Sequence, residues 1–265
     1  VLTAAASAQE PAVSPQMQKA SDDYRAATAA YEAGRYEDAE PMFRQALAEH
    51  RALGPGQRSY VMAELHNLGV IARKRGDLPQ SLELLQESLA INREQKADRR
   101  SAFTLIELAN TYRAMDKPYE ADPLVREAIE ISRTLEPPDP RLYATACNTY
   151  GALHIRLQDV DGGERWFERA LEAARRVPDE HWDLESSVMA NLATARFAGG
   201  HGDEALALFR DSIAMQEEHL GPTHPKLAET LASYSSVLRR LERKEEAAAA
   251  RRRATQIRNS LVAPR

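Results

Sequence analysis

Cysteine is nearly absent. Cys147 is the only thiol in 265 residues, so the chain can close no internal disulfide. Aromatic residues are sparse at 6 %, and a basic surplus is missing: 35 Lys and Arg stand against 40 Asp and Glu, a formal net charge of −5. That balance argues against general nucleic-acid binding, which draws on a basic excess. No apolar run approaches the length of a membrane span. The signatures of common chemistry are also lacking, with no Gly-rich phosphate loop, no G-x-S-x-G, no H-E-x-x-H and no C-x-x-C. Asp159-Val160-Asp161-Gly162 opens like a calcium loop, but the third acidic ligand and the closing Glu are absent at their spacings, and it reads as a helix junction. Cys147 and His154 fall about two turns apart on one helical pattern, where a nucleophile pair would need contact. His219 and His224 flank a turn without the further ligands a metal needs. No enzyme activity, cofactor or metal is expected.

What is present is a repeat. Turn residues fall at Gly34, Gly76, Asp116, Gln158, Gly200 and Glu242, separated by 42, 40, 42, 42 and 42 residues. Three sets of positions stay small in every copy: Ala27, Gly69, Ala109, Gly151, Ala193, Ser235; Ala39, Ser81, Ala121, Gly163, Ala205, Ala247; and Ala46, Ser88, Ala128, Ala170, Ser212, Ala254. Close approach of helices requires small residues at fixed register. A fourth set, Phe43, Leu85, Val125, Phe167, Phe209 and Arg251, is bulky and apolar until the last copy. Leu47, Leu89, Ile129, Leu171 and Ile213 form a further apolar set, and the sixth copy turns polar where a stacked array must end. Charged residues reach 28 %, which suits paired helices with solvated outer faces.

The order small, glycine turn, small, aromatic, small resembles the tetratricopeptide repeat. The step exceeds that repeat's usual length of about 34 residues. The excess of about eight positions, roughly two helical turns, falls between Leu47 and Leu65, and His219 to Pro225 reads HLGPTHP. Both features resemble the longer variant of kinesin light chains and many bacterial proteins. The likeness covers Gln16 to Leu261 and implies an all-α, right-handed superhelical solenoid of about six helix pairs.

The pattern predicts pairs over 16–53, 58–95, 98–135, 141–176, 182–219 and 225–261, with a leader at 1–15 and a tail at 262–265. Pro55, Pro137, Pro138, Pro140, Pro178, Pro222 and Pro225 mark the joints. Pro41 and Pro123 instead fall early in second helices, where little hydrogen bonding is lost. The chain opens VLTAAASAQ, and Ala6-Ser7-Ala8 looks like the end of a secretory signal peptide. The expectation is a periplasmic or secreted protein, with a disordered leader on a cytoplasmic protein as the alternative.

In the family the first helix of each pair lines the concave face. The positions so implied carry His66, Asn67, Val70, Arg73 and Lys74, then Asn110 and Arg113, then Asn148, Arg156, Asn191, Thr194 and Phe197. Side-chain amides offer both donors and an acceptor, so a row of them can hold the backbone of an extended peptide. The arginines and Lys74, with Arg196, would favour an acidic segment. Two plainer roles compete: basic groups near helix C-termini stabilise the helix dipole, and Asn67 or Asn191 can bond to a neighbouring helix. Trp166 and Trp182 are further anchor candidates, with Trp182 expected to pack over the preceding helix end. Arg251-Arg252-Arg253 reads as a solvated face beside Glu242, Glu245 and Glu246. The resulting expectation is a scaffold that binds a segment of another protein or an acidic extended peptide, with no nucleic acid. A regulatory module of a larger signalling protein and a self-assembling structural protein are the alternatives.

Overall fold

The computed structural model describes residues 14–93, 98–178 and 182–262, and among these all regular structure is helical. The expected signal-peptide end at Ala6-Ser7-Ala8 lies outside the described residues. The chain divides into two compact units, Val1–Lys96 and Ala97–Arg265. The first contains α1 (Pro15–Glu32), α2 (Tyr36–Ala52), a 3-10 turn at Pro55–Gln57, α3 (Arg58–Arg75) and α4 (Leu78–Arg93). The second contains α5 (Arg99–Ala114), α6 (Pro118–Thr134), α7 (Pro140–Arg156), α8 (Val160–Ala174), α9 (Trp182–Ala198), α10 (Gly202–Leu220), α11 (Pro225–Arg240) and α12 (Lys244–Val262).

Local chemistry sets the helix ends. Ser14, Asp139 and Asp159 each accept a backbone N–H from the first turn of the helix that follows, and Asp98 forms a reciprocal capping box with Ser101. Pro15, Pro118, Pro140 and Pro225 occupy first helical positions, where no N–H is needed. All six turn residues adopt the left-handed conformation, Gly34, Gly76 and Gly200 at φ 73, 86 and 91° and Asp116, Gln158 and Glu242 at 61, 63 and 61°. The next N–H then reaches the carbonyl five residues back, as in Asp77 to Ala72, Asp159 to His154 and Arg243 to Leu238. This turn folds each second helix back onto the first.

The small positions lie where the paired helices meet. Ala27, Ala39, Ala46, Ala128, Ala170, Ala193 and Ala205 are wholly buried, as are Phe43, Leu85, Val125 and Phe209 opposite them. A Cβ on Gly69 would sit 2.6 Å from Leu85 Cγ, and one on Gly151 would sit 2.7 Å from the Phe167 ring. Where the small residue is serine, its hydroxyl is paired: Ser88 donates to Met62 O at 2.9 Å and Ser212 to Ser186 O at 2.7 Å, the same register in two copies. Both are thereby satisfied in the core. Arg251 is exposed, so the bulky apolar row ends on a charge in α12. Within the second unit α5, α7, α9 and α11 touch in succession, and each also packs on the second helix of its own pair. The first helices therefore form a continuous row there.

Candidate functional site

Two of the expected ligand asparagines meet in that row. Asn191 on α9 donates Nδ2–H to Asn148 Oδ1 on α7 at 2.9 Å, and both residues are half-buried. The bond leaves the Asn148 amide as donor and the Asn191 carbonyl as acceptor, the two functions that a peptide backbone requires. Asn110 on α5 accepts from Arg113 at 3.4 Å. Thr194 is exposed but returns its hydroxyl to Ala190 O at 3.0 Å, which fixes its methyl outward of the helix backbone. Phe197 lies half-buried under the Arg240 guanidinium, 4.8 Å from its ring centre.

The basic residues are largely matched by acids that sequence reasoning did not assign to them. Arg156 holds Asp116 through Nε at 3.0 Å and a terminal nitrogen at 2.6 Å. Arg196 is surrounded by Glu168, Glu164 at 3.3 Å and Glu204 at 3.7 Å. The repeat register held part of the signal: Asp116 is the turn residue that follows α5, while Glu164 lies in the first half of α8, a second helix. In the first unit Val70 is 4 % exposed and belongs to the core. His66, Asn67 and Arg73 are half-buried along α3, and Lys74 is exposed with its ammonium 5.0 Å from the Tyr36 ring centre.

The other chemistry-bearing residues have structural partners. Cys147 is buried, and burial pushes its thiol up to about 11, the wrong direction for a nucleophile. His154 contacts Asp159 at 2.7 Å, which also caps α8 and is held below the usual carboxylate range by the Gly162 N–H and the imidazole. Tyr150 donates to Asp122 at 2.8 Å and packs against Trp166 at 4.8 Å. Trp182 stacks on His219 of α10, with ring centres 5.0 Å apart and planes 4° from parallel. His219 is thereby directed to the indole, while His224 accepts the Lys226 N–H at 3.2 Å and starts α11. No group of three or more His, Cys, Asp or Glu among the described residues could hold a metal ion. No described helix is long and apolar enough to cross a membrane.

A row of first helices, left-handed turns at a step near 42 residues and small-to-bulky packing at fixed register define a helical repeat protein of the tetratricopeptide class. The family model for the tetratricopeptide repeat matches residues 60–134, 142–218 and 200–260, and a second one matches 25–56. The chain belongs to the tetratricopeptide-repeat family. A curated relative, kinesin light chain-related protein 3 of Arabidopsis thaliana, is 24 % identical over 166 residues, which are 62 % of this chain and 26 % of that protein. The chain thus matches about a quarter of that relative's length. Among solved structures, BtubC (BKLC) from P. vanneervenii aligns with a TM-score of 0.63 and 22 % identity over 97 % of this chain and 96 % of that one. A Rap protein complexed with competence and sporulation factor aligns at 0.69 and 15 %, covering 94 % and 77 %. NprR in complex with its cognate peptide NprX aligns at 0.67 and 15 %, covering 88 % and 65 %.

Proposed function

We propose that this chain is a non-catalytic scaffold that holds a segment of another protein against the first-helix row of the Ala97–Arg265 unit. The observation that carries the reading is the Asn191–Asn148 bond, because it fixes two amides side by side with N–H donors and a carbonyl acceptor left over. An extended backbone laid across α7 and α9 can satisfy both without regard to its side chains. Asn110 extends the row to α5. The fold accommodates such a ligand in NprR, whose solved complex contains a peptide.

A preference for acidic segments needs an exchange of partners. Arg156 would release Asp116, which is 70 % exposed, and take the ligand's carboxylate instead. An exposed pair of this kind is worth at most about 1 kcal/mol, so the exchange is inexpensive. Arg196, held by several carboxylates, stays with them. Export to a periplasm or cell exterior belongs to the same proposal and is tested by where the full-length gene product fractionates. The binding test is selection from a displayed random-peptide library with the parent protein and an Asn110→Ala/Asn148→Ala/Asn191→Ala variant in parallel. Enrichment by the parent alone supports the groove. Equal enrichment by both, with the variant's helicity intact, overturns it.

A further inference from the structure

The repeat supplies its own control for a second surface. At two junctions between successive pairs, a position near the end of one second helix forms an ion pair with a position in the middle of the next second helix. Arg51 pairs with Glu87 in the first unit, and in the last junction the signs are exchanged, with Glu217 paired to Arg253. Arg93 and Glu127 occupy the same two positions in sequence, and so do Arg175 and Asp211, where buried Glu185 also holds Arg175 at 2.8 Å. One junction differs. Between α6 and α8 the two residues are Arg133 and Arg169.

Both arginines line one cleft of about 730 Å³, with Tyr143, Asp139, Glu172 and Arg176. That volume suits a bound group of small-molecule size. Arg133 stacks over the Tyr143 ring at 5.7 Å and reaches Glu130 at 3.0 Å; Arg176 reaches Glu172 at 2.5 Å; Asp139 is held by Arg99 at 2.6 Å. Arg169 lies over the Trp166 ring at 4.5 Å and has no carboxylate partner among the described residues. Nothing in the packing requires a cation at this position, since Gln45, Glu87, Glu127 and Asp211 fill it in four other copies, and Arg253 in the sixth stands opposite Glu217. Two arginines therefore stand at the register where two other junctions place an ion pair. No described carboxylate closes this pair.

We infer that the cleft between α6, α7 and α8 binds an oxyanion, a carboxylate or phosphate, held between the Arg133 and Arg169 guanidinium groups with Arg176 beside them. Guanidinium forks bind such groups through paired, charge-assisted hydrogen bonds. The ion completes the junction as Glu87 completes that of Arg51. This surface includes Tyr143 of α7 but none of the residues proposed to hold the peptide, and the inference stands independently of that function.

The test turns on Arg169→Glu, which writes the ordinary ion pair back into the junction. The variant should melt at a higher temperature than the parent in chloride at low ionic strength, yet no longer respond to the ligand. Inorganic phosphate and a Glu-rich peptide are titrated separately against chloride of matched ionic strength. Either one should raise the parent's melting temperature, and Arg169→Glu should bind about tenfold or more weakly. A response to the peptide alone assigns the oxyanion to a protein side chain, and a response to phosphate assigns it to a free anion. Arg169→Gln, which removes the charge without adding a partner, should lose the response as well. No shift in the parent, or equal shifts in parent and both variants, overturns the inference.

Discussion

Raising the pH from 6.5 to 8 should loosen the Val1–Lys96 unit through a single buried pair. His50 of α2 and Glu64 of α3 are both 0 % exposed, with Nδ1 and Oε1 2.6 Å apart and the imidazole stacked on Tyr60 at 4.4 Å. Burial pushes Glu64 from an ordinary value near 4.5 up to about 8, Arg51 opposing and Glu49 adding to the shift. Burial likewise holds His50 below its usual 6.5. The pair thus retains one proton between its two members. Glu64, raised on folding, contributes stability that is complete below pH 4.5 and is lost as the pH rises through about 8. His50, depressed on folding, contributes stability that is present above 6.5 and lost on acidification. Below 6.5, where the two windows overlap, the slopes oppose each other. Above 6.5 only the Glu64 slope remains. At about 1.4 kcal/mol per pH unit, with both ends of the window half-titrated, the loss from pH 6.5 to 8 amounts to roughly 1 kcal/mol. The assay is hydrogen exchange at α3 amides, corrected for the intrinsic rate at each pH. Protection should fall about fivefold to tenfold between pH 6.5 and 8 in the parent and stay level in Glu64→Gln. Matching pH profiles in the two proteins would refute the reasoning.

Three other outcomes follow from the packing. Gly151→Ala must already displace the buried Phe167 ring, which would lie 2.7 Å from the new Cβ, and should cost about 1–3 kcal/mol in urea unfolding, with Gly151→Leu costing more. Gln158→Gly relieves a side chain held at φ 63° and should stabilise the second unit by about 1 kcal/mol, read as a higher urea midpoint with unchanged slope. Arg251→Phe restores the bulky apolar residue at an exposed position of α12 and should produce more concentration-dependent self-association in sedimentation than the parent shows.

The sequence alone determined the class of fold. Its information lay in register: a small residue that must sit under Phe43 or Phe167 recurs at a fixed offset from a turn, and that regularity is visible without coordinates because each repeat packs chiefly on its neighbours in the chain. The turns were legible even at Asp116, Gln158 and Glu242, which lack glycine, since the period placed them and the left-handed backbone followed. The surface was less legible. Sequence could put Asn148 and Asn191 in one row but not within 2.9 Å, and it could not show that Arg156 spends its charge on Asp116 or that Trp182 chooses His219. Those pairings join residues about 40 positions apart, and long side chains reach them by rotamer and not by register. Tertiary structure also decided the burial of His50 with Glu64, two ionisable residues on different helices that the repeat period does not pair. Backbone geometry repeats with the period, whereas side-chain partners depend on which two copies happen to face each other.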